Sequence, residues 1–209
     1  MIRSILAIAI SSLVGTAPSI ARADDVSGNQ NEYGKVTRIR KGVREAGGTA
    51  LGVLTYGKEG DTTTSQFSTN ASLRVQRFIR DNVLVGIAGM YDYVDHGARN
   101  TSNQGGAALL GTVHLRLGLG AFLRPTLAVG VLGGNRSIPL TMTTVEQASQ
   151  IAGLVRVGLP IGYFIGKRFV LEAGPQIVMT AGRYTPSNAE ARSFTQVAGG
   201  FSLGFGYVF

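Results

Sequence analysis

The chain has 209 residues, with 20 Lys and Arg against 12 Asp and Glu, a formal charge of +8, and no cysteine. Without cysteine there is no disulfide framework, no thiolate metal site and no lipid-bearing cysteine behind a signal sequence. A basic balance can mean nucleic acid, but an export signal turns it toward outer-membrane lipids and lipopolysaccharide phosphates, and no nucleic-acid partner is expected.

That signal is predicted over residues 1–23. Arg3 supplies the positive start, and Ile5 to Val14 is an apolar stretch broken only by Ser11 and Ser12, too short to span a bilayer. Ala21-Arg22-Ala23 is a small-x-small site ahead of Asp24-Asp25, so cleavage is expected after Ala23. Loss of Arg3 and Arg22 leaves +6 on residues 24–209 (8 − 2), enough chain for one domain. The 30 glycines and seven tyrosines, without long helical patterns, point to an all-β chain.

Residues 24–47 are expected to be a flexible periplasmic leader, with a strand extension as part of that reading. Val36, Ile39 and Val43 stand at helix-compatible spacing among Lys35, Arg38, Arg40, Lys41 and Arg44, which offers a short basic amphipathic helix as an alternative. From residue 48 the pattern has a period of two, the period of a strand. A first strand fits 48–57. In 67–78, Phe67, Thr69, Ala71, Leu73 and Val75 alternate with Ser68, Asn70, Ser72, Arg74 and Gln76. In 83–94, Val83, Val85, Ile87, Gly89, Tyr91 and Tyr93 share a face and Asp92 takes the other. In 106–118, Leu109, Val113, Leu115 and Leu117 oppose Thr112, His114 and Arg116. The strand at 123–133 is weaker, with Leu127, Val129 and Val131 opposite Arg124 and Thr126. Strands at 149–164 and 169–182 set Ile151, Val155, Val157, Leu171 and Ile177 against Gln150, Arg156, Glu172 and Gln176. In the last strand, 194–209, Phe201, Leu203, Phe205, Tyr207 and Phe209 alternate with Ser202, Gly204, Gly206 and Val208.

Eight strands result. Long Ser, Thr, Asn and Gly-rich connections at 58–66, 95–105, 134–148 and 183–193 alternate strictly with short ones at 79–82, 119–122 and 165–168. That is the pattern of an eight-stranded antiparallel up-and-down transmembrane barrel, with long outer loops, tight periplasmic turns and both termini on the short-turn side. The soluble alternative, a sandwich or lipocalin-like barrel, would bury the apolar face and leave the glycine-rich face to water, where glycine is a poor strand residue. The lipid-facing set then includes Phe201, Phe205, Tyr207 and Phe209. The lumen set is Arg74, Asp92, His114, Arg116, Arg156 and Glu172, with Gln176. An eight-stranded lumen is just wide enough to fill with side chains, so these charges are expected to form an occluding network. Inward Arg outnumbers inward acid, which leaves a narrow anion-preferring pore as the alternative.

Gln66-Phe67-Ser68-Thr69-Asn70-Ala71-Ser72-Leu73 leads through Arg77-Phe78-Ile79-Arg80-Asp81-Asn82 into Val83-Leu84-Val85-Gly86. This unit resembles the strand-turn-strand of the small bacterial outer-membrane protein β-barrel domain family, and it partly recurs at Pro160 to Glu172. The resemblance covers roughly residues 48–209. It implies an eight-stranded barrel in the outer membrane of a Gram-negative cell and an aromatic terminal strand read by the barrel-assembly machinery. The chain departs from the family in having no Trp, so its interfacial girdle must be built from Tyr and Phe.

Chemistry is sparse. His114 is the only strand histidine, its same-face neighbours Thr112 and Arg116 offer no serine nucleophile, and His96 lies in a predicted loop beside Asp95. There is no metal-ligand spacing, phosphate loop or paired-carboxylate site, so neither enzymatic activity nor a cofactor or metal is expected. The expected role is structural or surface-interacting, as a monomer, with an unidentified extracellular ligand meeting the four long loops. Small-solute transport is the alternative.

Overall fold

The computed structural model describes residues 41–59, 62–96, 100–139, 144–187 and 189–209, without the side chains of 51–59 and 62–67. The predicted signal sequence and residues 24–40 lie outside that range. Eleven antiparallel strands follow in chain order: β1 (Arg44–Glu59), β2 (Thr62–Arg80), β3 (Val83–Asp95), β4 (Thr101–Val113), β5 (Leu115–Gly118), β6 (Ala121–Leu123), β7 (Thr126–Pro139), β8 (Val145–Gly158), β9 (Ile161–Ile165), β10 (Phe169–Pro186) and β11 (Arg192–Val208).

Eight of them close a ring, β1-β2-β3-β4-β7-β8-β10-β11, and β11 returns to β1 through a ladder running from Glu45–Val208 to Lys58–Thr195. The three short strands continue the staves β4, β7 and β8 past a break. The breaks fall at His114, at Arg124-Pro125 and at Leu159-Pro160. Proline has no N–H to give the ladder. The sheet is stitched there by Val113 N to Pro125 O (2.9 Å), Arg124 N to Pro160 O (2.8 Å) and Leu159 N to Pro175 O (3.0 Å). Eight staves with meander connections are what the periodicity predicts.

Following cross-strand partners once around the ring gives the tilt. Gly47 pairs Arg74, then in turn Ala88, Ala108, Gly130, Leu154, Thr180 and Gln196, which returns to β1 at Gly57. The displacement is ten residues (57 − 47). With a rise of about 3.3 Å and a strand spacing of about 4.8 Å, this stagger tilts the strands by about 40° and gives a backbone radius of about 8 Å. The glycines make so steep a coil possible. At Gly106 a Cβ would run into the Val131 carbonyl, and at Gly86 into that of Val75.

The two faces are inverted relative to a water-soluble barrel. Leu73, Leu109, Val131, Ile151, Ile177 and Leu203 stand out from the wall, Leu73 at 71% and Leu109 at 70% exposure. Their neighbours one residue along, such as Ser72, Leu110, Leu132, Gln150, Gln176 and Ser202, are buried. The soluble alternative required the opposite orientation. At burial worth about 25 cal/mol per Å², an apolar belt of this extent is stable only against another apolar medium.

Strand ends differ from the sequence expectation. The first strand starts at Arg44, not 48, so Val43 and Arg44 of the proposed helical stretch sit beside and in a strand. The long connections are shorter than expected, because strands continue to Glu59, Asp95, Pro139 and Pro186 and resume at Thr62, Thr101, Val145 and Arg192. β10 has 18 residues and β11 has 17, against the roughly 9–11 that cross a bilayer. The surplus projects at the long-loop end and carries exposed Asn103, Asn135, Gln147, Ser149, Arg183 and Thr195.

Candidate functional site: a cross-braced lumen

The lumen is filled in layers. At the short-turn end, Phe78 of β2, Leu84 of β3, Phe122 of β6, Phe164 of β9, Val170 of β10 and Val208 of β11 form one buried apolar cluster, with Val43 packed against it. Contributors from six strands around the ring meet at its centre. His114 joins them, its ring 4.6 Å from Phe122, 6.0 Å from Phe78 and 6.2 Å from Phe164, and Phe122 and Phe164 lie 5.2 Å apart.

Above this plug Arg124 crosses the barrel. It is 1% exposed, and its partner Glu45 is fully buried on the opposite side of the ring. Arg124 Nη2 and Nη1 reach the two Glu45 carboxylate oxygens at 2.7 and 2.8 Å, the paired geometry a guanidinium favours. Nη1 also lies 3.4 Å from Glu172 Oε2, Nε donates to His114 Nδ1 at 3.0 Å, and the guanidinium carbon sits 4.5 Å from the Phe122 ring centre. Arg74 completes the group, 2.5 Å from Glu172 Oε1 and 3.4 Å from Glu45 Oε1. Because His114 accepts at Nδ1, its ring proton sits on Nε2. Two arginines and two glutamates thus neutralise one another.

A second brace lies nearer the long-loop end. Arg156 of β8 reaches across to β2, with Nη2 donating to Asn70 Oδ1 at 2.6 Å and Nη1 to Ser72 Oγ at 3.4 Å. Asp92 is buried beside Asn70, its cross-strand partner. Gln76 Nε2 donates to Thr112 Oγ1 at 2.9 Å. Around them pack Ala88, Met90, Ala108, Leu110, Leu132, Leu154 and Val178. The far end holds Tyr184, Phe194, Ala148 and Ala152, with the Arg136 guanidinium 4.4 Å from the Tyr184 ring centre.

The expected lumen residues therefore divide. Arg74, Asp92, His114, Arg156 and Glu172 are inside, and Gln176 is buried with them. Arg116 stands outside the buried braces. Cross-strand pairing puts it on the same face as Phe122, but β5 pairs only with β6 and projects past the ring, so Arg116 is exposed. Parity assigned its face correctly and could not assign its height. Glu45 and Arg124, the centre of the cluster, were absent from the expected set. Glu45 fell in the supposed leader. Arg124 stood on the polar face of the weakest strand, next to the proline that breaks it. For Arg124 the two-residue spacing from Thr126 was the available signal; for Glu45 the alternation read from residue 48 onward offered none.

Phe201, Phe205, Tyr207 and Phe209 face outward and are about half exposed. Tyr207 Oη accepts from Arg168 Nη1 at 3.3 Å, and at the opposite edge of the apolar belt Tyr91 Oη donates to Asn103 Oδ1 at 2.7 Å. Such polar-tipped rings suit both edges of an apolar slab. His96 lies 3.3 Å from Ser102 Oγ. Among the described residues no group of three His, Cys, Asp or Glu could hold a metal ion. The chemical capacity of the site is mechanical: it ties opposite walls together and fills the space between them.

No protein-family model matches the chain, and no curated protein matches it in sequence. Among solved structures it is similar to Neisserial surface protein A, at 12% identity over 80% of this chain and 97% of that one, with a TM-score of 0.49. It is also similar to the outer membrane protein OprG from Pseudomonas aeruginosa, at 15% identity over 83% and 99%, TM-score 0.44. A third is Ail, the attachment invasion locus protein of Yersinia pestis, at 14% identity over 81% and 99%, TM-score 0.40. On its own ring closure, strand order and inverted faces, the chain has the fold of the small eight-stranded outer-membrane barrels, which is the fold the resemblance of residues 66–86 implies.

Proposed function

We propose that this protein is a monomeric outer-membrane barrel with a closed lumen, non-enzymatic, which works as a structural or surface-interaction element and not as a solute conduit. The observation that carries the reading is the Arg124–Glu45 brace across the full width of the lumen, stacked on the Phe78–Phe122–Phe164 plug. A pore needs a continuous wet path, and here side chains occupy the centre at successive levels.

Charge counting supports the same reading. With Glu45 and Arg124 included and Arg116 outside, the brace residues Arg74, Arg124 and Arg156 face Glu45, Asp92 and Glu172, three against three. Within the two braces the arginine excess that motivated an anion pore is gone, and a further buried arginine, Arg136, lies at the long-loop end over the Tyr184 ring. Catalysis has little to draw on, because His114 is enclosed by three phenylalanine rings and the Arg124 guanidinium. The signal sequence predicted over residues 1–23 supports export, and the aromatic face of β11 supports insertion by the barrel-assembly machinery. The short-turn end then faces the periplasm and the projecting strands form a polar collar outside the cell, where an extracellular partner would make contact.

The test is planar-bilayer recording on purified refolded protein. Wild type should give no steps above the empty-membrane baseline, while Arg124→Ala, which removes the central brace, should give intermittent small openings. Regular wild-type steps would transfer the protein to the transport reading.

A further inference from the structure

The charge of the described side chains is sorted by height. In the lumen braces three arginines meet three acids, as above. At the long-loop end Arg136, Arg183 and Arg192 are matched by Asp95, Glu146 and Glu190. At the short-turn end stand Lys41, Arg44, Arg77, Arg80, Arg116, Lys167 and Arg168, and the one acidic side chain there among the described residues is Asp81. Asp81 Oδ1 already accepts from the Lys41 backbone N–H at 3.2 Å.

Six of these seven cations form an arc over consecutive staves. Lys167 and Arg168 lie on the turn entering β10, Lys41 and Arg44 at the start of β1, and Arg77 and Arg80 at the end of β2. β11 sits between the first two groups: the Arg168 carbonyl accepts from Val208 N (2.8 Å), and Arg44 and Phe209 exchange backbone bonds at 2.9 Å. Arg44 and Arg77 are direct cross-strand partners. Like charges opposite one another on a ladder repel, so the pair calls for an anion between them. The same arc carries outward-facing Ile79, Phe169, Tyr207 and Phe209, the lower margin of the apolar belt. An apolar surface bordered directly by clustered guanidinium and ammonium groups is complementary to one kind of partner, which has acyl chains on one side and a phosphate on the other.

We infer that this rim binds the phosphate headgroups of anionic glycerophospholipids, the leaflet lipids in contact with the short-turn end. The assignment rests on the membrane-barrel reading. It does not require the lumen to be closed.

The experiment uses the refolded full barrel in phosphatidylcholine vesicles with trace spin-labelled phosphatidylglycerol or phosphatidylcholine, and measures the motionally restricted fraction of each label. Phosphatidylglycerol should be restricted several-fold more than phosphatidylcholine. The preference should fall with added salt and in R44Q/R77Q/R80Q/R168Q, and in the milder R44Q/R77Q, while R183Q/R192Q at the other end retains it. Equal restriction of both lipids, or a preference untouched by the rim substitutions, would overturn the assignment. So would displacement by inorganic phosphate beyond that of chloride at the same ionic strength, which would give the rim to free phosphate. Failure of the wild-type protein to migrate as a folded barrel before boiling is a separate result, and it would remove the membrane-barrel reading itself.

Discussion

Arg124 joins both walls of the lumen through one side chain. Its guanidinium binds both oxygens of Glu45, approaches Glu172 and donates to His114, all in a space closed to solvent. Removing one member of such a group leaves a buried charge without compensation, which costs about 3–5 kcal/mol. Arg124→Ala should therefore lower the stability of the refolded barrel by about that amount, read as a shift in the urea midpoint. Arg116→Ala, on the exposed hairpin, should change it by less than about 0.5 kcal/mol. Equal shifts would mean that the brace does not act as described. At this scale the sequence was half legible. Alternation placed Arg74, Asp92, His114, Arg156 and Glu172 inside, because in a strand a side chain's face depends only on parity. Height within the barrel depends on register, which brings residues such as Glu45 and Arg124, 79 positions apart on opposite walls, to one level, and no local pattern encodes that.

The strands owe their shape to glycine and proline more than to their apolar residues. Gly106 faces the lumen where β4 and β7 approach so closely that a Cβ would meet the Val131 carbonyl and the Leu132 Cα. Gly111, on the same strand but facing outward, has nothing within 4 Å. Gly106→Ala should sharply reduce the fraction that refolds to the heat-sensitive compact form on a gel, and Gly111→Ala should leave it near wild type; the reverse ranking would contradict this account of the coil. All eight staves were legible because each crosses an apolar slab and so must alternate over its whole thickness. Their outer ends were not. Beyond the slab the outer face meets water, apolar residues no longer mark it, and the Thr, Ser and Asn of residues 62–65 or 101–103 read as loop although backbone pairing continues through them. At the other end Arg44 to Gly47 fell in the leader, whose strand extension had no bounds in the sequence because basic and small residues there break the alternation.

At the scale of the molecule, sequence pattern, ring closure and charge sorting converge on a barrel that is apolar outside, braced inside and basic at one rim. The absence of cysteine makes its central feature, the exchange of inside for outside, directly measurable. Single cysteines placed in turn from Val197 to Val208 along β11, spin-labelled and reconstituted in vesicles, report exposure to lipid-dissolved oxygen. Positions 197, 199, 201, 203, 205 and 207 should show high oxygen accessibility, and the even positions between them low accessibility, with a strict period of two. Loss of the period, or odd positions open to a water-soluble relaxant and closed to oxygen, would contradict the barrel described here.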